Sequence, residues 1–307
     1  GGRPGLAAVS DRVYPGPASA PALHHRRSRA TTARRVAGAA WRHALLLLCA
    51  LAFVLPFAWM IVTSLKTNQQ IVRYPPEWIP VPIRWANYAD ALAEAPLLRY
   101  AANTTLICVL TVIGALLSNT VVAYGFSRLE WRGREALFVV VLASLMLLFQ
   151  VTMVPLFLLF SRIGWVNTYL PLIVPAFFGN AFYIFLLRQF FLGIPRDFTD
   201  AAKLEGASEI QTLWHIILPL SRPALISVAL FQFLFSWNDY LGPLIFLNEQ
   251  AKFTLALGLA NMQSAMGLSQ FGLIMAAAAM IVLPVLVVCV AAQRFFVEGI
   301  AASGLKG

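Results

Sequence analysis

Six stretches of this chain run for 16 to 41 residues without a single charged side chain: 44–65, 100–127, 136–161, 163–187, 223–238 and 253–293. An α-helix rises 1.5 Å per residue, so about 20 apolar residues cross the hydrocarbon core of a bilayer. The first four runs meet that length outright. The fifth stops at Asp239 and resumes over 240–248, which reads as one span with an acidic residue near its end. The sixth holds more than one segment. Its first part carries Asn261, Gln263, Ser264, Ser269 and Gln270, so the span is placed at 273–292 and the first part in an interfacial or external position. Composition agrees: 60% of residues are hydrophobic and 12% charged, against about 45–50% and about 25% in soluble domains. A water-soluble enzyme is excluded, and the expected fold is all-α, a polytopic membrane protein with six transmembrane helices.

The formal net charge of +10 does not point to nucleic acid, because 8 of the 23 Lys+Arg residues lie in the first 43 positions. Residues 1–43 are rich in Gly, Pro, Ala, Ser and Arg without apolar period and are expected to form a disordered basic tail. With 43 residues before it, the first run fits a signal-anchor helix better than a cleavable signal. Counting Lys+Arg on alternate sides of six spans gives 17 with the termini and 6 opposite. Cationic loops stay inside, so both termini are expected in the cytoplasm, 294–307 being a C-terminal tail. Cys49, Cys108 and Cys289 each sit in an apolar run, with neither metal-ligand spacing nor a disulfide framework.

One hydrophilic segment interrupts the bundle on the cytoplasmic side, 193–222, with 4 acidic residues. Thr199 is positioned to cap a helix starting at Asp200, and Gly206 to end it in the left-handed conformation. Ser208 and Gln211 match a capping box for a second helix, on which Ile210, Leu213, Trp214 and Ile217 form one apolar stripe and which Pro219 closes. Periodicity alone leaves open whether this helical hook lies on the chain's own bundle or on a partner.

The residue pattern narrows that choice. Asp200-Ala201-Ala202, Gly206 and Ile216-Ile217-Leu218-Pro219 resemble the EAA loop of ABC importer membrane subunits, whose pattern is Glu-Ala-Ala, three residues, Gly, nine residues, Ile-x-Leu-Pro. Asp200 replaces the Glu and shortens its reach. Ser64-Leu65-Lys66-Thr67, Tyr74-Pro75-Pro76-Glu77-Trp78-Ile79-Pro80, Asn87-Tyr88, Trp237-Asn238-Asp239 and Gly304-Leu305-Lys306-Gly307 look like the carbohydrate-type permeases of the maltose-transporter branch, most like its smaller permease. The resemblance covers 44–307. It implies a second permease subunit, two cytoplasmic ATPase subunits that bind ATP and Mg, and an extracytoplasmic solute-binding protein that delivers a sugar-like solute. It also implies that the hook fits a cleft on the ATPase, with Ala201 and Ala202 allowing close approach, Gly206 setting the bend and the apolar stripe, including Leu213 and Trp214, shared between ATPase and bundle.

Polar residues inside the spans are costly in lipid and face the bundle or a water-filled path. Asn119, Gln150, Asn180 and Gln232 are such positions; each either lines a solute path or joins helices by hydrogen bonds. Asn180 stands out because Pro171, Pro175 and Gly179 should kink its helix. Trp237, Asn238 and Asp239 either bind a sugar and line an external gate or mark an aromatic belt at a helix end. No Gly-x-x-x-x-Gly-Lys-Ser/Thr loop occurs, so no nucleotide cofactor is expected in this chain, and no His or Cys spacing suggests a metal. Rival readings are import of glycerol phosphate or another polar solute by the same machinery, or an ion-coupled secondary transporter.

Overall fold

The computed structural model describes residues 1 and 29–304, with side chains at 38, 40–267 and 269–293. Two compact units divide after Leu55. In its described portion the first unit is the N-terminal stretch of helix α1 (Arg29–Ser64). Residues 29–43, expected to lack regular structure, are therefore helical. Their Ala and Arg residues are good helix formers, and extending an existing helix needs no new nucleus. Positions 2–28 of the expected tail lie outside the described residues.

The second unit holds α2 (Asn68–Ile71), α3 (Ala86–Glu94), α4 (Leu97–Ser127), α5 (Arg134–Ala143), α6 (Phe149–Arg162), α7 (Leu170–Ile173), α8 (Ala181–Leu192) and α9 (Asp197–Leu204). After these come α10 (Glu209–Thr212), α11 (Leu218–Leu220), α12 (Arg222–Asn238), α13 (Leu241–Phe246), α14 (Leu255–Met266) and α15 (Phe271–Gly304). No strand occurs among the described residues.

Four segments are long and apolar enough to cross a membrane: Ala40–Ser64, Leu97–Ser127, Leu170–Leu192 and Phe271–Gln293. Counting each of two bent pairs as one span gives six, Arg134–Met146 with Phe149–Arg162 at 95° and Glu209–Leu220 with Arg222–Asn238 at 81°, although Glu209–Leu220 belongs to the hydrophilic segment 193–222. The count matches the uncharged runs, whereas the continuity of the third run does not: Leu147 and Leu148 are extended and break it. The fourth run is a helix only from Leu170, and it breaks again at Gly179, whose φ is +90°. The first portion of the sixth run is helix α14, which buries Leu255, Leu257 and Met262. The predicted tail at 294–307 continues α15 as far as Gly304.

The central element is α4, 31 residues long and so about 46 Å from end to end. Small residues let its neighbours approach. A Cβ on Gly114 would sit 2.6 Å from the Phe177 ring, and Gly258 of α14 lies directly against the Tyr100 ring. Two hydrophobic clusters meet along α4. One gathers Tyr124, Leu187, Phe191, Leu213, Ile217 and Val228 at the hook end. The other gathers Tyr100, Trp237, Leu255, Met262 and Leu273 toward the opposite end.

Candidate functional site

The hook is built on short-range signals. Helix α9 begins at Asp197, three residues before the expected start, because Thr199 does not cap it: its hydroxyl donates back to the Arg196 carbonyl at 2.7 Å. Asp197 and Asp200 fall in the first turn, where the helix dipole favours a carboxylate. Gly206 has φ +83° and nothing lies within 4 Å of a Cβ placed there, so the need for glycine is conformational. The capping box at α10 is formed: Ser208 Oγ accepts from the Gln211 amide at 3.3 Å, and Gln211 Oε1 accepts from the Ser208 amide at 2.8 Å. Beyond it the helix widens to a π turn over Leu213–Ile217. Pro219 lies inside α11, and the chain turns at Ser221.

The expected single stripe divides into two faces. Leu213 and Ile217 are buried in the bundle, together with Ala202, whereas Ile210 is 70% and Trp214 56% exposed. The division follows the i, i+4 pairing of a helix, Ile210 with Trp214 and Leu213 with Ile217, the two pairs lying on adjacent faces of which only one meets the bundle. With Leu204 at 91% and Phe198 at 50% exposure, Ile210 and Trp214 leave the hook with bare apolar side chains. Asp200 and Ala201 are also exposed, while Ile216 and Leu218 are half-buried.

Polar contacts not anticipated from the sequence tie the hook to the bundle. The Tyr124 hydroxyl, in the last turn of α4, donates to Glu209 Oε2 at 2.6 Å, and Lys203 Nζ lies 3.0 Å from Glu209 Oε1. The Tyr124 hydrogen bond, and after it Lys203, hold the Glu209 carboxyl below the ordinary carboxylate range against the opposing effect of burial. Arg128 donates to the carbonyls of Phe191 and Ile194, and Arg196 pairs with Glu130 at 3.0 Å. Arg188, buried on α8, makes two bonds of 2.9 Å to Glu135 and one of 3.1 Å to the Phe126 carbonyl. A cleft of about 630 Å³ opens beside these groups, lined by Arg128, Arg196, Asp200, Lys203 and Glu209 among others.

A second concavity, of about 680 Å³, lies among α4, α6, α7, the break at Gly179 before α8, α12 and α13. Gln150, Asn180, Gln232, Asn238 and Asp239 line it, with Phe149, Phe160, Phe235 and Tyr240 as aromatic walls. No lysine, arginine or histidine is among its lining residues. Asn180 caps α8 through its Oδ1, which accepts from the amides of Phe182 at 2.9 Å and Tyr183 at 3.4 Å. Asp239 Oδ1 accepts from the Gly242 amide at 3.1 Å. Two expected path residues lie elsewhere. Asn119 is fully buried: its Nδ2 donates to the Ala115 carbonyl at 2.6 Å and its Oδ1 accepts from the Asn180 amide at 2.7 Å. Trp237 is buried against α15, donating to the Ile281 carbonyl at 3.2 Å. Both hold helices together. No cluster of three or more His, Cys, Asp or Glu suited to a metal ion occurs among the described residues.

Residues 111–301 match the family of binding-protein-dependent transport system inner membrane components. The chain is 32% identical over 257 residues to the arabinooligosaccharides transport system permease protein AraQ of Halalkalibacterium halodurans, covering 83% of this chain and 91% of that protein. It is 32% identical to the trehalose/maltose transport system permease protein MalG of Thermococcus litoralis, covering 85% and 94%. Among solved structures it is similar to a chain from a bacterial ABC transporter involved in the import of the acidic polysaccharide alginate. There the TM-score is 0.74 and the identity 25%, over 88% of this chain and 98% of that one.

Proposed function

This chain belongs to the binding-protein-dependent transport system inner membrane components, and on that footing we propose that it is the permease subunit of an ATP-binding-cassette importer for a sugar or sugar-like solute. The observation that carries the reading is the hook: a glycine bend at φ +83° between two short helices, one face packed in the bundle and the other bare and apolar. Monomers rarely leave such a face uncovered. Phe198, Leu204, Ile210 and Trp214 dock into a cytoplasmic ATPase subunit, which binds ATP and Mg. Closure of the ATPase pair drags the hook, and the hook's buried side, Ala202, Leu213 and Ile217, passes the displacement to the spans. The spans then alternate between inward- and outward-open packings.

The cavity is the portion of the translocation path that this chain contributes, completed by a second permease subunit and loaded by an extracytoplasmic solute-binding protein. Its amides and its aromatic rings suit sugar hydroxyls and the apolar faces of pyranose rings. A lining with Asp239 and no cationic residue favours a neutral polyhydroxyl solute over glycerol phosphate. Both termini face the cytoplasm, as the cationic loops require.

The test is a photocrosslinker at Leu204 or Ile210 in the assembled importer. It should capture the ATPase subunit, and the yield should change with nucleotide. A variant that transports normally but never crosslinks to an ATPase would overturn the assignment. Solute uptake by this chain alone in liposomes, without ATP, would replace it with ion-coupled transport.

A further inference from the structure

The segment between α2 and α3 has no role in the hook or the cavity, yet it carries the Tyr74-to-Pro80 motif and is flanked by the motifs at 64–67 and 87–88. Its two ends are stapled to the end of α1. Asn87, buried, donates through Nδ2 to the Ser64 carbonyl at 2.8 Å and to the Lys66 carbonyl at 2.9 Å. The Tyr88 and Ser64 hydroxyls bond at 2.8 Å, and the Arg84 amide donates to the Leu65 carbonyl at 2.9 Å. The chain thus leaves the helix end and returns to it, and 68–83 is an excursion fixed at both feet.

The excursion does not rise away from the helix. Trp78 stacks edge-on against Trp59, ring centroids 5.0 Å apart, and Lys66 Nζ lies 4.2 Å from the Trp59 ring centre. Trp59 precedes the last helical residue, Ser64, by five positions, about 7.5 Å along the axis. The loop therefore folds back beside the last turn and a half of a helix that crosses the membrane. Its outward side chains are apolar: Ile79 and Val81 are each 78% exposed, with Tyr74, Trp78, Ile83 and Trp85 also exposed. Its charges cancel locally, Arg73 with Glu77 at 2.6 Å and Arg84 with Asp90 at 3.0 Å. An exposed, charge-neutral band of Trp, Tyr and aliphatic residues, running from the span's end down to Trp78 beside a residue about 7.5 Å below it, matches the layer where interfacial segments sit, about 5–10 Å into the headgroup and acyl boundary.

We propose that residues 74–85 form an interfacial anchor, inserted into the lipid headgroup layer at the Ser64 end of the first span and setting that helix's depth and tilt. The proposal rests on the membrane-spanning character of α1 and not on the importer reading, so either can fail alone.

The test uses the assembled complex in nanodiscs, with Cys49 and Cys289 replaced by Ala and buried Cys108 retained. Nitroxide labels are placed at Ile79→Cys and Val81→Cys, with Leu283→Cys as a hydrocarbon reference and Glu94→Cys as an aqueous one. Both loop labels should favour oxygen over a water-soluble nickel chelate, with depth values between the two references. Labels as open to nickel as the one at position 94 would overturn the proposal. So would protection that appears only when the solute-binding protein is added, which would make the band a protein interface. A second measurement needs no cysteine changes: benzoylphenylalanine at 79 or 81 should form lipid adducts, and crosslinks to a protein subunit in their place would equally refute the anchor.

Discussion

The bond from Tyr124 to Glu209 is the contact by which α4 holds the second half of the hook, and its removal is a quantitative test of that hold. Hydrogen bonds to charged groups are worth about 1.5–3 kcal/mol when buried. Here the Glu209 side chain is 42% exposed and Lys203 remains beside it in Tyr124→Phe, so a value near 1 kcal/mol is expected. That energy is about a fivefold change in an equilibrium. In Tyr124→Phe, amide exchange across 207–212 should accelerate about fivefold while exchange in the middle of α4 is unchanged, and solute imported per ATP hydrolysed in proteoliposomes should fall. Glu209→Gln provides the second corner of a double-mutant cycle. If the pair acts as one contact, the double variant should lose little more than the worse single one, leaving a coupling of about 1 kcal/mol. Effects that add within about 0.3–0.5 kcal/mol, the range for independent sites, would refute the claim that this bond ties the hook to α4.

Four further outcomes follow from the same geometry. Gly206→Val should uncouple ATP hydrolysis from uptake while membrane insertion is kept, and Gly206→Asn should be milder, because the space is open and only the left-handed backbone is strained, a cost of about 1–2 kcal/mol; a fully coupled Val variant would count against the hook. Glu209 has its folded-state pKa depressed, so its contribution is complete above the ordinary carboxylate range and is lost as pH falls through the depressed value. Protection factors across 207–212, taken relative to the intrinsic exchange rate at each pH, should therefore fall on acidification in the native protein, and less so in Glu209→Gln. Gly258→Leu should lower the melting temperature, since the Tyr100 ring occupies the space a side chain would need, whereas Gly133→Ala, with nothing near its Cβ, should lower it far less. Asn119→Leu should destabilise the break at Gly179 by stranding the Asn180 amide, typically about 1–3 kcal/mol for a buried donor, and shift solute affinity without abolishing ATPase stimulation.

The features of the molecule written in local signals were legible beforehand. The number of spans follows from charge-free length, the kink near Gly179 from Pro171, Pro175 and the glycine itself, and the α10 capping box from Ser208 and Gln211. Long-range partners were not legible. Nothing in the periodicity around Tyr124 marks it as the hydroxyl that meets Glu209, 85 residues on, and an apolar stripe does not say which of its edges packs inward, here Leu213, and which stays bare, here Trp214. The same limit applies to the polar span residues. Asn119 and Gln150 look equivalent as uncharged amides in apolar runs, and only the fold separates the one that caps a broken helix from the one that faces the cavity.

That separation bears on how motion crosses the bundle. Asn119 and Tyr124 lie five residues apart on α4, about 7.5 Å along its axis, and each bonds a different partner. Asn119 accepts from the amide that opens α8 beside the cavity, and Tyr124 donates to the hook. Interiors packed this closely repack between discrete arrangements and do not deform smoothly. A shift of the hook that carries Tyr124 with it must either move α4 as a rod, dragging the Gly179 break through Asn119, or rupture a bond at one end or the other. Breaking Tyr124–Glu209 leaves the cavity's break intact and strands the hook, whereas breaking Asn119–Asn180 leaves the hook attached and frees the break. The two lesions should therefore differ in kind, Tyr124→Phe acting on coupling and Asn119→Leu on solute affinity, and equal loss of both properties in either variant would refute the separate roles given to the two bonds.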